Sequence, residues 1–293
     1  MAPHDFLADE FEGHRPHLKA VAYRMLGSLP EAEDAVQEAW LRLARSDAGG
    51  IGNLGGWLTT VVGRVCLDML RARKGRSEEP LETHLPDPVV SRADGADPEQ
   101  EVLLADSVGL ALQVVLDSLT PAERLAFVLH DMFGLPFEEI APIVDRTPAT
   151  AKKLASRARL RVRGAAPIPD PDLAGQRRVV VAFQAAARDG DFDALLAILN
   201  PDVVMRADGG VLTGGLRIIR GAANVIRQAM AHRRIAAVGY PVLINGIAGL
   251  VTTVEGQPLS VMCFTVAGGR IAAIDILSDP DRLARLDLTG VTG

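Results

Sequence analysis

The sequence predicts a multi-domain chain: two all-α blocks followed by an α+β domain. Three observations predict it. Apolar residues recur at helical spacing through residues 1–76 and again through 101–166. Stretches rich in proline and acidic residues, 77–100 and 167–175, follow those blocks and read as linkers. From Gln176 to Gly293 the texture changes to a few helical segments, then alternating or apolar runs bounded by paired glycines.

In the first block, Phe11, His14, Leu18, Val21, Ala22 and Met25 keep one side of a helix apolar. Gly27-Ser28-Leu29-Pro30-Glu31 stops it and starts another, with Ser28 and Glu31 spaced as a capping box. The second helix buries Ala32, Val36, Ala39, Trp40 and Leu43 and exposes Asp34, Gln37, Glu38 and Leu41. After a glycine-rich loop at 46–55, Trp57 opens a third helix that ends in Arg71, Arg73, Lys74 and Arg76.

The second block holds the most informative stretch, Ser118 to Arg163. Thr120, Pro121 and Glu123 supply a capping side chain, a proline at the first helical position and an acid at the third. Leu125, Val128, Leu129 and Met132 continue that helix until Gly134-Leu135-Pro136 ends it. A short helix over Phe137–Val144 follows, then the turn Asp145-Arg146-Thr147, with Thr147 capping the next helix and Pro148 at its start. That last helix carries Lys152, Lys153, Arg157, Arg159, Arg161 and Arg163, with no acid between 146 and 163. Two short helices, a tight turn and a basic second helix describe a helix-turn-helix, whose second helix enters the major groove of DNA. The competing reading of the basic helix is an ordinary solvated face.

Bulk charge points the other way. Residues 1–166 hold 19 Lys and Arg against 25 Asp and Glu, so the chain does not bind DNA through overall charge. Positive charge is concentrated in a few places, which suits a protein that meets DNA with the help of a larger partner. No apolar run of about 18 residues is present, so no membrane partner is expected. The polar start excludes a secretory signal, and a cytoplasmic protein is expected. Cys66 and Cys263 sit in apolar patterns and read as core residues. No metal site and no cofactor are expected.

Beyond 176, two helices precede the strand-like runs VVMRA, AVGYPVLINGIAGLVTTV, PLSVMCFTVAGG and RIAAIDIL. Helices followed by strands suggest a curved antiparallel sheet packed on helices. Arg206, Asp208, His232 and Asp275 are the polar residues a proton-transferring site would draw on, but no paired carboxylates or Ser-His arrangement has the spacing for it. They read as structural, and no catalytic residue is assigned.

Residues 5–166 resemble an extracytoplasmic-function (ECF) RNA polymerase sigma factor. AEDAVQEAWLRL resembles the region 2 helix that binds the polymerase clamp helices, WLTTVVGRVCLDMLRARK the part that melts and reads the −10 element, and LTPAERL through RLRVR the helix-turn-helix of region 4. The tail resembles a SnoaL-like domain of the cystatin-like, ketosteroid-isomerase type fold, which the SigJ type of these factors carries. HLPDPV at 84–89 resembles that subgroup's linker motif, with His84 where tryptophan is usual. DPDRL at 279–283 resembles its NPDKL-type motif, and ADGGVL at 207–212 resembles part of its DGGGK motif.

The resemblance implies an alternative sigma factor that binds core polymerase, at the clamp helices and flap, and promoter DNA. It would be nucleoid-associated through the polymerase. The −35 contacts implied are Lys152, Lys153, Ser156 and Arg157, with Arg146 and Thr150 anchoring phosphates. The −10 contacts implied are Arg64, Arg71, Arg73, Lys74 and Arg76, and Trp57 is either a stacking surface or core. Asp34, Gln37, Glu38 and Leu41 would meet core polymerase. His84, Leu85 and Pro86 would meet Asp279, Pro280, Asp281, Arg282 and Leu283 in a regulatory contact, so that the tail modulates activity in cis. The tail's conical pocket admits a small-molecule ligand as a further partner. The rival function is an isomerase- or cyclase-like enzyme with a DNA-localising module; promoter-selective transcription with core polymerase separates the two.

Overall fold

The computed structural model describes residues 3–46, 51–76, 84–92, 109–165, 167–210, 215–232 and 237–291, with the side chains of 3–6, 75, 76 and 232 excepted. The chain forms two compact units. The first comprises residues 1–81 and 115–165; the second comprises 82–114 and 166–293.

In the first unit, α1 (Pro3–Leu26), α2 (Leu29–Arg45) and α3 (Leu54–Arg76) pack together. Their apolar stripes supply the core: Leu18, Val21 and Met25 from α1, Val36 and Leu43 from α2, and Leu58, Val62 and Cys66 from α3 are buried. The Ser28 hydroxyl accepts from the Glu31 N–H at the start of α2. The Glu31 carboxylate turns to Arg73.

Region 115–165 begins within α4 (Leu110–Asp117), where the boundary between the units falls at Val115. α5 (Pro121–Phe127) opens with the full capping box: Glu123 N–H donates to Thr120 Oγ1 at 3.3 Å and Thr120 N–H donates back to Glu123 at 3.2 Å. The helix expected to run on to Met132 instead widens into a π turn over Val128–Met132. There His130 stacks on Phe137 with centroids 3.9 Å apart, and its Nδ1 lies 2.9 Å from the Leu135 carbonyl oxygen. The π turn therefore aims the chain into α6 (Phe137–Ile143), and α7 (Pro148–Ala165) follows after a turn in which Asp145 takes φ 54°. Ile140 and Ala141 of α6 and Ala151, Ala155 and Ala158 of α7 are buried, and α7 packs against both α5 and α6.

The second unit contains β1 (Val90–Arg92), α8 (Leu173–Asp189), α9 (Phe192–Ile198), β2 (Leu199–Asp208), β3 (Leu216–Arg220), α10 (Ala222–His232), β4 (Val238–Ile244), β5 (Ile247–Val254), β6 (Gln257–Ala267), β7 (Arg270–Leu277) and the short α11 (Pro280–Leu283). Among the described residues the sheet runs β1-β4-β5-β6-β7-β2-β3, antiparallel at each step except the parallel β7–β2 pair. The α+β class expected from the sequence is thus present, with one parallel pair in place of a wholly antiparallel sheet. The hairpin turns at Asn245-Gly246 and Glu255-Gly256 place both residues at positive φ, as two-residue turns that match strand twist require.

One face of the sheet packs on α8, α9 and α10 through Val180, Phe183, Leu195, Val225, Ile226, Phe264 and Ile274. Phe183 and Phe264 meet edge to face at 5.3 Å. The other face carries a second cluster: Val90, Leu110, Val242, Val261, Cys263, Leu277, Leu283 and Leu288.

The stretch 77–100, expected as a linker, departs from that expectation over residues 84–92. Val90↔Ile244, Ser91↔Leu243 and Arg92↔Val242 pair β1 with β4, and Val89 exchanges hydrogen bonds with Asn245 at 2.8 and 3.0 Å. Pro86 and Pro88 fix an extended entry to this strand, and Leu85, Pro86, Pro88 and Val89 are buried. The second stretch, 167–175, is anchored too. Asp170 N–H donates to Val266 O at 2.7 Å, and its carboxylate accepts from Gly268 and Gly269 N–H at 2.9 and 2.8 Å.

Candidate nucleic-acid interface and the tail contact

Lys152, Lys153 and Arg157 project from the exposed side of α7, opposite buried Ala151, Ala155 and Ala158. Arg146 is exposed at the turn, where Nη1 donates to the Asp145 carbonyl oxygen. Thr150 is half-buried and shares a hydrogen bond with Thr147 at 3.0 Å. Ser156 donates its hydroxyl to the Lys152 carbonyl oxygen at 2.9 Å, so in this state its donor is committed to the helix itself.

The other arginines of α7 brace the helix. Arg159 Nε lies 2.5 Å from Asp131 in the π turn, and Arg161 Nη1 lies 2.8 Å from Glu123. Glu123 is 4% exposed. Burial by itself would raise its carboxyl, but the hydroxyl and N–H of Thr120, with Arg161 and Arg157, hold it below the ordinary range. One residue therefore caps α5 and fixes α7.

On α3, Arg64, Arg71 and Lys74 are exposed. Arg71 lies 3.8 Å from Asp68, and Arg73 is half-buried on Glu31. The side chain of Arg76 lies outside the described residues. On α2, Asp34, Gln37 and Leu41 are exposed along one face, and half-buried Glu38 pairs with Arg42 at 2.9 Å. Trp40 is half-buried and packs its ring 5.0 Å from Phe11; Trp57 is also half-buried.

In the second unit, the three motif-bearing segments meet at Asp208, which is fully buried. Its carboxylate accepts from Arg282 Nη1 at 2.7 Å, Leu85 N–H at 2.9 Å and Gly210 N–H at 3.2 Å, with His84 Nδ1 at 3.4 Å. The second Arg282 nitrogen, Nη2, reaches the Leu85 carbonyl oxygen and Asp87, each at 2.6 Å. Asp279 caps α11 by accepting from the N–H groups of Asp281 and Arg282. Gly210 has φ 75°, and a Cβ built on it would fall 2.3 Å from Asp279 Oδ2, so only glycine admits Asp279 at that place. Ser278 N–H closes the cluster on the Asp208 carbonyl oxygen at 2.8 Å.

Two family models match the chain: Sigma-70 region 2 over residues 11–76 and Sigma-70 region 4 over residues 109–162. The ECF RNA polymerase sigma factor SigJ of Mycobacterium tuberculosis is 38% identical over 288 residues, covering 93% of this chain and 92% of that one. The chain is an ECF RNA polymerase sigma factor. The probable ECF sigma factor SigI of the same organism is 35% identical, with 97% of each chain covered. The crystal structure of the Mycobacterium tuberculosis SigJ superposes with a TM-score of 0.75 over 96% of this chain and all of that one, at 34% identity.

The sigma factor thus directs transcription initiation, and its two helical regions are those the sequence resemblance implied. Sequence reasoning missed Asp208 as the centre of the tail contact and Asp87 as a partner of Arg282. The signal was present: Asp208 lies in the partial glycine-rich motif, and Asp87 lies between the two prolines of HLPDPV. Asp275 is also buried, paired with Arg206 at 2.9 Å across β2 and β7. The side chain of His232, the remaining polar candidate, lies outside the described residues. Among the described residues no helix is long and apolar enough to cross a membrane, and no group of His, Cys, Asp and Glu could hold a metal.

The helix-facing side of the sheet, where a conical pocket is expected, carries the apolar Phe183–Phe264 cluster. A groove of about 400 Å3 lies at the start of α10, lined by Leu196, Leu199, Pro201, Gly221, Asn224 and Arg270.

Proposed function

We propose that this sigma factor reads the −35 element with Lys152, Lys153, Ser156 and Arg157, anchored on phosphates by Arg146 and Thr150. Arg64, Arg71, Arg73, Lys74 and Arg76 engage the −10 element, and Asp34, Gln37, Glu38 and Leu41 meet the clamp helices of core polymerase. The factor works in the cytoplasm, where the polymerase is, and has no catalysis of its own. Asp208 and Asp275, the carboxylates a tail enzyme would use, are both engaged by arginines.

The tail regulates the factor in cis. The observation that carries this reading is the cluster in which Arg282 holds Leu85 and Asp87, residues between the two promoter-reading regions, against buried Asp208. While residues 84–92 are zipped onto the sheet, they are withdrawn from the length of chain that joins region 2 to region 4. Polymerase binding draws that segment out, and a ligand of the tail biases the balance only by preferring one state.

The test is promoter-selective transcription by core polymerase with the full chain and with Arg282→Ala. A clear change in transcript yield at equal polymerase binding supports the reading, and identical yield across polymerase concentrations removes it.

A further inference from the structure

The chain holds four asparagines, and their successors differ: Asn53 precedes Leu54, Asn200 precedes Pro201, Asn224 precedes Val225 and Asn245 precedes Gly246. An asparagine side chain loses ammonia most readily before glycine, because a successor without Cβ leaves its main-chain nitrogen open to the side-chain carbonyl carbon. Asn245-Gly246 is also the turn that closes β4 on β5, with φ 50° and 79° and the pair Ile244↔Ile247 beside it.

The zipped segment covers this turn. Val89 N–H donates to Asn245 Oδ1 at 3.0 Å, and Asn245 N–H donates to the Val89 carbonyl oxygen at 2.8 Å. Asn245 is 2% exposed, whereas Asn53 and Asn224 are exposed and Asn200 is half-buried. Cyclisation requires the Asn245 side chain to turn its carbonyl carbon onto the Gly246 nitrogen, and the bond from Val89 holds the amide toward residues 84–92 instead. The asparagine with the reactive successor is thus the one that the movable segment buries.

We propose that Asn245 is a deamidation site guarded by residues 84–92, and that its conversion stops the segment from closing again. When the segment leaves the sheet, the Gly246 nitrogen gives its proton to solvent base and attacks Asn245 Cγ. The new N–Cγ bond forms, the Cγ–Nδ2 bond breaks, and the amide nitrogen takes up a proton and leaves as ammonia. Water then opens the five-membered imide at either carbonyl, giving aspartate or isoaspartate. One water is consumed and one ammonia released, with no change of oxidation state.

Aspartate brings a carboxylate to a place closed to solvent. Isoaspartate adds a main-chain carbon to a two-residue turn, which displaces Ile244 from Ile247 and so moves the partner of Val90. Either product favours the open segment, so a factor kept open long enough stays open. That consequence rests on the reading that polymerase draws 84–92 off the sheet; the guard on Asn245 does not.

The experiment follows the mass gain from amide to acid in the peptide that contains Asn245, using the full chain at mildly alkaline pH. The folded chain should deamidate there at least about tenfold more slowly than the chain in urea, and Arg282→Ala should recover much of that difference while amide exchange along β5 and β6 stays slow. If Arg282→Ala loses the sheet, Val89→Pro decides, since it removes the N–H that holds Asn245 Oδ1. Equal rates in the folded and unfolded chain would overturn the guard, as would a deciding variant that reacts no faster than the folded wild type.

Two samples test the consequence: Asn245→Asp, and wild-type chain deamidated in urea and refolded. Both should show amide exchange along β1 faster by about tenfold. Exchange as slow as in fresh chain, in either sample, would overturn it. Added core polymerase should speed deamidation as the variants do. If it does not while the variants do, the reading that polymerase opens the segment fails and the guarded site stands.

Discussion

Arg282 donates to Asp208 at 2.7 Å and to Asp87 at 2.6 Å, so a single guanidinium joins the last helix, the end of β2 and the segment before β1. Both carboxylates gain a planar partner with donors on both nitrogens, which a lysine in the same place would supply only as a point charge. Arg282→Ala leaves Asp208 buried without its cation. It should destabilise the second unit by about 3 kcal/mol, read by urea unfolding. Amide exchange at Leu85 and along β1 should speed up in step, and unchanged exchange there would show that Arg282 does not hold the segment down.

Arg206 and Asp275 form a second buried pair, with a different expected signature. Burial raises the Asp275 carboxyl above its ordinary value, more than Arg206 lowers it. A raised acid binds its proton more tightly folded than unfolded, so this group favours the fold at low pH. Its contribution declines as pH rises from the ordinary carboxylate range through the raised value. Asp275→Asn should flatten that part of the stability–pH curve, measured by denaturant unfolding at several pH values. Asp275→Ala alone should cost about 3 kcal/mol by stranding Arg206, and the Arg206→Met/Asp275→Leu double variant should recover most of it.

Region 4 should sort its arginines into two classes. Arg157→Ala should weaken specific −35 binding by about 1–3 kcal/mol while nonspecific binding changes less, as removal of a bidentate base contact would. Arg161→Ala removes the brace on Glu123 and should lower binding evenly across sequences. Competition titrations against cognate and scrambled −35 duplexes give both values. A sequence-selective loss from Arg161→Ala would reverse the assignment.

Reversing charge at Asp34 and Glu38 together should abolish association with core polymerase and leave the thermal midpoint nearly unchanged, because neither residue is in the core. Full competition for core polymerase by the double variant in a pull-down would place the contact elsewhere.

Two truncations of the tail should differ for a physical reason. Ending the chain before Gln176 removes the sheet that buries Leu85, Val89, Val90 and Leu110, so the remaining segment should become sensitive to limited proteolysis. Ending it before Ser278 keeps the strands and removes Arg282 and the Ser278–Asp208 bond. Transcription should respond strongly to the first cut and differently to the second, and full-length behaviour from both would rule out regulation by the tail.

The helices were legible because their signals are local. Ser28, Thr120 and Thr147 each cap the helix the sequence places after them, and the apolar stripes fall on the buried faces. The π turn was not legible, since Val128, Leu129 and Met132 suit an α-helix equally well, and the His130–Phe137 contact that accompanies the widening has no local sequence pattern. β1 escaped notice because a three-residue strand between prolines has no period of its own; it exists only through pairing with residues about 150 positions away. Asp208 read as one isolated polar residue for the same reason. Its partners, at 85 and 282, come from opposite ends of the second unit. β3 was also missed, being an edge strand whose side chains are largely exposed and so carry little alternation.

The integration of β1 into the sheet bears on how such a factor can be recombined. The regulatory module is discontinuous in the gene. Residues 82–114 come before most of region 4 and 166–293 after it, so a crossover anywhere between codons 92 and 170 separates the strand from its sheet. Grafting residues 176–293 onto another sigma factor would transplant an incomplete body. A functional chimera must carry 84–92 with it, together with the start of the 110–117 helix, whose Leu110 packs in the same cluster.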